Sequence, residues 1–306
     1  MLKKVTGIAK GANLSGHRQM QVYVAIRSVH EQQGFSLQLL CKLAKVARSS
    51  YYKWIDHKPS PREQENEQLT ENMLAHHKQF QGIYGYRRHT VQLCRQTGKP
   101  INHKRIRRLM KLAGIQSVIR RKKKQYASST PQHVAENLLN REFHAEAPDE
   151  KWLTDVTEFK YGHSQKAYLS AILDLHDNTI VSYVFGRSNN NNLVFQTLDQ
   201  ALQLAPGSAP MLHSDRGFQY TSPSFKKRLE AANVTPSMSR IGRCIDNGPM
   251  ESFWGTLKCE KYYLNTYSTF EELEKDIDTY INFYNNERLQ AKLNGLSPME
   301  FRTKAA

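Results

Sequence analysis

Three acidic residues stand where a carboxylate could take part in metal-assisted chemistry. Asp155 lies within residues 151–161, whose β-branched and apolar residues are typical of a strand, and a carboxylate there is costly to bury without a partner. Asp215 follows the short predicted strand 211–214, so it falls at that strand's carboxyl end, where the sites of α/β proteins commonly form. Glu251 falls in the first turn of a predicted helix.

Each of these residues also has an ordinary structural explanation. Asp155 could pair with a lysine, Asp215 could cap its own turn, and Glu251 could favour the positive end of a helix dipole. As a set they fit one chemistry better, because Mg²⁺ and Mn²⁺ prefer oxygen ligands and phosphodiester chemistry with two metals ~3.5–4 Å apart requires carboxylates to bind them. We therefore expect all three to be catalytic and metal-binding, with two Mg²⁺ (or Mn²⁺) ions per active site.

The elements around these carboxylates predict a mixed α/β domain over residues 151–306. Three strands come first, then helix and strand alternate, and helices follow. The predicted strands cover 151–161, 166–175, 179–185, 211–214 and 234–238, and the predicted helices cover 193–204, 222–232, 248–262 and 270–284.

The chain before this domain reads as mainly helical. Residues 1–57 predict a helix-turn-helix-like unit, with Ser49 as the N-cap of its last helix. Residues 58–68 lack apolar side chains and contain Pro59 and Pro61, which indicates a linker.

A second helix-turn-helix-like segment, expected to bind DNA, is predicted over residues 69–118. Asn102 is a good N-cap for its last helix and Gly114 a good stop. The apolar stripe of this helix consists of Ile106, Leu109, Met110 and Ala113. Residues 119–150 are expected to form a basic linker with one local helix or strap.

Positive charge is concentrated in the first half of the chain. The net charge is +16, but residues 1–147 hold 27 Lys and Arg against 9 Asp and Glu, while residues 148–306 hold 17 against 19. Such a field favours a polyanion, usually nucleic acid. The densest run has ten basic and no acidic residues, and we expect all ten to contact DNA: Lys104, Arg105, Arg107, Arg108, Lys111, Arg120, Arg121, Lys122, Lys123 and Lys124.

Other classes of protein find no support in the composition. The four cysteines form no C-x-x-C pair, so neither a disulfide framework nor a zinc site is expected. No stretch approaches the ~18 uncharged apolar residues of a membrane helix, and the N-terminus lacks the apolar block of a signal peptide. We expect a cytoplasmic protein without a membrane partner.

Three segments resemble the DDE blocks of bacterial insertion-sequence transposases of the OrfB type, whose core is similar to retroviral integrase. These segments are residues 154–159, 213–220 and 246–258. Thirty-five residues separate Asp215 from Glu251, and Lys258 stands seven after Glu251, both as in that family. Because i and i+7 share a helix face, Lys258 is expected to contact DNA phosphate beside the site.

The resemblance extends over roughly residues 35–303. Residues 84–88 with 102–110 look like the family's helix-turn-helix segment, and 284–298 like its C-terminal signature. Gln290 departs from the pattern, since many relatives carry His there.

The resemblance implies an α/β RNase H-like catalytic domain preceded by mainly α-helical helix-turn-helix DNA-binding segments. The reaction would be hydrolysis at the element's end, then transesterification of the freed 3′-hydroxyl onto another strand, without a covalent protein–DNA intermediate. The expected partners are the terminal repeats, target DNA, further copies of the chain and an OrfA-type protein, separate or fused, in a bacterial cytoplasm and at the nucleoid when DNA-bound. Two alternatives stay open: a catalytically inactive DNA-binding regulator, and an RNase H-like nuclease without strand transfer.

Overall fold

The computed structural model describes residues 14–119, 136–240 and 244–305. The chain divides into two compact units, Met1–Ser117 and Val118–Ala306. The basic residues Arg120, Arg121, Lys122, Lys123 and Lys124, expected to contact DNA, lie outside the described residues.

The first unit begins with three helices: α1 (Leu14–Gln33), α2 (Leu37–Leu43) and α3 (Arg48–Ile55). The predicted pair of short helices with a turn between them is confirmed. The N-cap prediction for Ser49 is wrong: α3 begins at Arg48, because the extended cap backbone falls at Ala47, whose side chain cannot cap. Tyr23, Ile26, Cys41 and Tyr51 form the core of these helices.

The predicted linker at residues 58–68 is largely helical, because α4 (Pro61–Gln79) begins inside it. Ser60 and Glu63 form a reciprocal capping box, in which the Glu63 N–H donates to Ser60 Oγ at 3.3 Å and the Ser60 N–H donates to Glu63 Oε2 at 2.8 Å. Pro61 occupies the first turn, where a proline favours a helix rather than breaking it. The linker prediction was therefore wrong from Pro61 onward.

The helices α5 (Tyr86–Thr97) and α6 (His103–Leu112) complete the first unit. Asn102 caps α6 as predicted, accepting from the Lys104 N–H at 2.8 Å. Gly98 ends α5 with a φ of +65°, a left-handed conformation that favours glycine. The predicted stripe packs into a core with α4 and α5, formed by Leu69, Met73, Leu93, Ile106, Leu109 and Met110.

The second unit is built on a five-stranded sheet ordered β3-β2-β1-β4-β5. Its strands are β1 (Lys151–Tyr161), β2 (Gln165–Asp174), β3 (Ile180–Gly186), β4 (Met211–Ser214) and β5 (Thr235–Met238). β1 pairs antiparallel with β2 and parallel with β4, where Leu153 lies level with His213. Two residues further along each chain come Asp155 and Asp215, so the register brings these carboxylates to the same level of the sheet.

Helices cover both faces of the sheet. They are α7 (Asn191–Leu204), α8 (Pro223–Ala231), α9 (Gly248–Glu260), α10 (Phe270–Asn286) and α11 (Pro298–Ala305), the last not predicted. Consecutive residues of β1 face opposite cores: Leu153 packs with α9 and α10, and Trp152 packs with α7 and α8. The predicted α10 stripe is buried throughout: Phe270, Leu273, Ile277, Tyr280, Ile281 and Tyr284.

Residues 136–150 form a strap without regular secondary structure that leads into β1. Leu139 anchors it in the α9 and α10 core. Among the described residues, no helix is long and apolar enough to cross a membrane.

Candidate active site

Asp155 is held in a defined orientation near the middle of β1. Its Oδ1 accepts a 2.8 Å hydrogen bond from the Val156 N–H, and its Oδ2 accepts a 3.0 Å hydrogen bond from the indole Nε1 of Trp254. Trp254 lies three residues after Glu251 on α9, so this bond ties the strand of the first carboxylate to the helix of the third.

Asp215 directly follows β4 and is oriented by its own turn. Its Oδ1 accepts from the Gly217 N–H at 2.8 Å. A Cβ atom at Gly217 would lie 3.0 Å from that oxygen and 2.9 Å from Oε1 of Gln219, so a larger residue there would push these two side chains from their positions. The surrounding protein desolvates the carboxyl group of Asp215 and raises its pKa, although the residue keeps an exposed surface.

The three carboxylates influence one another electrostatically. Burial raises the pKa of Asp155 to about 7, and the negative charges of Asp215 and Glu251 add to the rise. The hydrogen bonds from Val156 and Trp254 oppose it. The structure thus brings the predicted set into one neighbourhood in which negative charge repels negative charge.

The chemistry of this donor set fits a hard divalent cation. All three residues supply oxygen ligands, and the repulsion that raises the pKa of Asp155 is relieved by positive charge. Among the described residues, no three His, Cys, Asp or Glu side chains already lie close enough together to hold an ion.

Lys258 lies beside the carboxylates on the same face of α9 as Trp254. Its Nζ donates to Thr157 Oγ1 at 2.6 Å and lies 5.1 Å from the centre of the Phe159 ring. Burial lowers the pKa of Lys258, and the charge of Asp155 opposes that effect. Because Thr157 follows Asp155 by two residues, both point to the same face of β1, next to the lysine.

Asp246, just before α9, is a site residue whose role was not predicted. It is fully buried and accepts hydrogen bonds from Asn137 at 3.1 Å, Arg141 at 2.8 Å and the Arg240 N–H at 3.0 Å. Burial raises the pKa of Asp246, but the hydrogen bonds from Arg240 and Arg141 outweigh that effect and hold this pKa well below its ordinary value. Asp246 therefore fixes the start of the helix that carries Glu251. An acidic residue in an otherwise uncharged segment before a helix was the available signal.

Buried polar residues also surround the backbone beside Asp155. Asn247 donates from Nδ2 to the carbonyl oxygen of Thr154 at 3.2 Å, and Tyr220 OH lies 3.3 Å from Thr154 Oγ1. His213 lies between the hydroxyls of Ser237 (2.8 Å) and Ser239 (3.0 Å). Burial lowers the pKa of His213 to about 4, so it is neutral at pH 7 and links β4 to β5 without adding charge.

The predicted DNA-binding residues of α6 divide into two groups. Lys104, Arg107, Arg108 and Lys111 are exposed on the first unit. Arg105 instead contacts α4, donating to Glu65 Oε2 at 2.7 Å and Asn66 Oδ1 at 2.8 Å. The exposed group lies on the surface of α6, whereas Arg105 holds two helices together.

Gln290 closes a loop before α11. Its backbone N–H donates to the Leu296 carbonyl at 3.0 Å in an isolated antiparallel bridge. Gln290 thus belongs to the turn that leads into α11.

Comparisons with known proteins agree with this architecture. Two family models described as integrase core domain match residues 145–244 and 251–305, and one described as HTH-like domain matches residues 63–123. An Escherichia coli protein named as transposase InsK for insertion sequence element IS150 is 38% identical over 274 residues, which are 89% of this chain and 95% of that protein. A transposase-like protein of Haemophilus influenzae is 44% identical over 205 residues, covering 67% and 94% of the two chains.

A solved catalytic core domain of HTLV-2 integrase in complex with magnesium matches with a TM-score of 0.41 and 19% identity, over 51% of this chain and 97% of that one. The integrase core matches and the mixed sheet confirm the predicted fold, an RNase H-like domain after mainly helical segments with an HTH-like domain. The chain belongs to the insertion-sequence transposases that carry an integrase core domain.

Proposed function

We propose that this transposase cleaves and joins DNA strands at a site formed by Asp155, Asp215 and Glu251. One observation carries the proposal: neighbouring parallel strands bring two carboxylates to one level, and there burial and mutual repulsion raise the pKa of Asp155 to about 7. Clustered, perturbed carboxylates in a basic DNA-binding family fit metal-assisted phosphodiester chemistry.

The three carboxylates would hold two Mg²⁺ or Mn²⁺ ions, which when bound activate the attacking oxygen and stabilise the leaving one. The chain's own residues provide orientation. Trp254 and the Val156 N–H fix the carboxylate of Asp155, and the Gly217 N–H fixes that of Asp215. Preoriented ligands require less rearrangement when DNA arrives.

Lys258 would contact a phosphate beside the reacting one. Its ammonium lies next to β1, where Thr157 accepts its hydrogen bond, and a negatively charged strand can compete for that donor.

We propose that the exposed basic face of α6 binds the terminal repeats. Its four exposed cations, Lys104, Arg107, Arg108 and Lys111, carry no intervening acidic residue, which suits phosphate contacts. Joining two element ends to one target implies at least two copies of the chain, and an OrfA-type protein would supply further end recognition.

The test is strand cleavage and joining on labelled element-end DNA with Mg²⁺ or Mn²⁺, with an OrfA-type partner supplied. Wild type should give metal-dependent cut and joined products, and Asp215→Asn should lose both. Asp199→Asn is the matched control, because Asp199 is exposed on α7 and pairs with Arg228; it should remain active.

Three other outcomes would contradict the proposal. If the protein cuts an intact element end but gives no joined products from a pre-cut end, it would be a nuclease without strand transfer. DNA binding without either product would favour the inactive regulator. Full activity in Asp215→Asn would remove that residue from the site.

A further inference from the structure

Phe218 lies on the surface of the second unit, three residues after Asp215. Its side chain is 60% exposed, the largest value among the phenylalanine, tyrosine and tryptophan residues that the structure describes. Burying an aromatic ring is strongly favourable, so a ring left in water contributes little to the stability of this unit. Single exposed apolar residues are common on protein surfaces, and the location of this one is what sets it apart.

A hydrogen bond connects the backbone next to Phe218 with the carboxylate of Asp215. The Gly217 N–H donates to Asp215 Oδ1 at 2.8 Å, and Phe218 is the next residue. An amide nitrogen lies at most about 5 Å from the Cα atom of the following residue, so the Cα atom of Phe218 is within about 8 Å of that oxygen. Asp215 is itself exposed. A DNA strand that reaches this carboxylate therefore passes within a side-chain length of the ring.

The turn that carries Phe218 is fixed on its far side. The Tyr220 N–H donates to the Gly217 carbonyl at 3.0 Å, so Phe218 occupies a corner of a tight turn. Gln219 and Tyr220 are both buried, and Gln219 Nε2 donates to Oδ1 of Asn189 in the loop before α7. An aromatic side chain on a fixed backbone has little freedom to lose when a ligand contacts it, which favours binding.

A DNA base is the ligand that this ring suits. Every base has a planar π face, so an aromatic side chain can stack on any of them without reading the sequence. Apolar side chains that enter a duplex partly unstack neighbouring bases and bend the DNA. A phosphate is a poor match for the ring itself, because an anion prefers cations and hydrogen-bond donors.

We propose that Phe218 stacks on a DNA base next to the phosphate undergoing reaction and so helps to hold that phosphate at Asp215. This inference rests on the proposed function, because it requires a DNA strand at the carboxylates. The base can belong to the element end or to the target DNA, since the stacking chemistry is the same. The ring would hold the strand without touching the reacting atoms.

Removal of single bases tests this contact position by position. The full chain, carrying Glu251→Gln so that strands stay intact, is bound to element-end duplexes that lack one base at a time around the cleavage point. A second series removes bases from a target duplex offered to the complex of protein and element end. Phe218→Ala should weaken binding to intact DNA about 10-fold, the size expected for one stacked base. That loss should vanish when the stacked base is absent, because the effects of removing two interacting groups are not additive.

Two further substitutions separate stacking from a general apolar contact. Phe218→Trp should bind intact DNA like the parent protein, whereas Phe218→Leu, which is apolar but cannot stack, should bind like Phe218→Ala. Leu204→Ala is the matched control, because Leu204 is exposed at the last residue of α7. It lies about 20 Å along that helix from the end near Asn189, so it should bind every duplex like the parent.

Three results would overturn the inference: no loss of binding in Phe218→Ala, a loss that persists at every abasic position in both series, or parental binding by Phe218→Leu. Coupling in the first series assigns the stacked base to the element end, and coupling in the second assigns it to the target. All variants should melt like the parent, because the ring is exposed. Since binding alone is read out, the result is independent of whether wild type cuts and joins DNA.

Discussion

The indole Nε1 of Trp254 donates a 3.0 Å hydrogen bond to Oδ2 of Asp155. This bond connects β1 with α9, so the first carboxylate and the helix of Glu251 share one rigid link. It also lowers the pKa of Asp155 against the burial that raises it. Trp254 is therefore a positioning residue: it orients a proposed metal ligand and favours its charged form.

Replacing Trp254 with Phe keeps an aromatic ring in the core, removes the hydrogen-bond donor and reduces the ring volume. A hydrogen bond to a charged group contributes about 1.5–3 kcal/mol, so we expect the cleavage rate to fall by about 10- to 100-fold. Because the pKa of Asp155 rises further, the pH profile of cleavage should move to higher pH. Single-turnover rates from pH 6 to 9 measure both effects.

The matched control for this prediction is Trp152→Phe. Trp152 also donates its indole N–H to a carboxylate, Asp149, at 3.1 Å, and it is buried on the opposite face of β1. The Trp152→Phe variant should keep the wild-type pH profile of cleavage. An unshifted profile in Trp254→Phe would exclude the positioning role.

The two groups of basic residues on α6 predict different phenotypes. Lys104→Ala with Arg108→Ala should weaken DNA binding about 10-fold or more and lower the slope of log K against log salt by about 2, without affecting stability. Arg105→Ala should lower the free energy of unfolding by about 1 kcal/mol, because it releases Glu65 and Asn66 of α4. Binding isotherms at several salt concentrations and urea melts separate the two.

Lys78→Ala, an exposed change on α4, is the control and should affect neither property. If the Lys104 and Arg108 variant keeps the wild-type salt slope, α6 does not contact phosphates.

Local patterns predicted most of the fold. The bounds of β1 and β4 agree with prediction to the residue. The β-branched residues of β1 mark that strand, whereas β4 contains none. The error at 58–68 came from reading Pro61 as a breaker, when Ser60 and Glu63 make it the first turn of α4. No apolar stripe marks α11, so periodicity could not reveal it.

The site was only partly accessible from the sequence. Asp155, Asp215 and Glu251 could be proposed because their types and contexts fit one chemistry. The contacts of Trp254 and Asp246 could not, because hydrogen bonds between β1 and α9, or between the strap and the segment just before α9, join residues about 100 positions apart. Such contacts depend on tertiary packing, which spacing does not encode.

The C-terminal signature has a structural role in anchoring α9. Arg288 donates to Glu260 through Nε and Nη2, both at 2.9 Å, and Tyr280 OH donates to the same carboxylate at 2.9 Å. Arg288 and Glu260 are both buried. Arg288→Met should therefore destabilise the second unit by about 3–5 kcal/mol, because it leaves a buried charge without its partner.

Adding Glu260→Gln to Arg288→Met removes that charge and should recover much of the loss in urea unfolding. The neighbouring change Glu287→Gln is the control and should cost less than about 0.5 kcal/mol. If the double variant is no more stable than Arg288→Met alone, the uncompensated charge is not the cause.

Acid should loosen the first unit through His89 of α5. His89 is buried beside His76 and His77, and burial lowers its pKa to about 4. Between pH 6.5 and 4 the unfolded chain binds a proton that the folded chain does not, so stability falls as pH falls through this window and is constant above it. The loss by pH 4.5 should be about 2 kcal/mol.

Hydrogen exchange of α4 and α5 amides at pH 7 and 4.5, corrected for intrinsic rates, measures this loss. His89→Leu should remove most of it, leaving the smaller contribution of His76, whose pKa burial also lowers. His103→Leu, exposed on α6, should keep the wild-type dependence. Equal loss of protection in wild type and His89→Leu would show that the buried imidazole does not control the acid response.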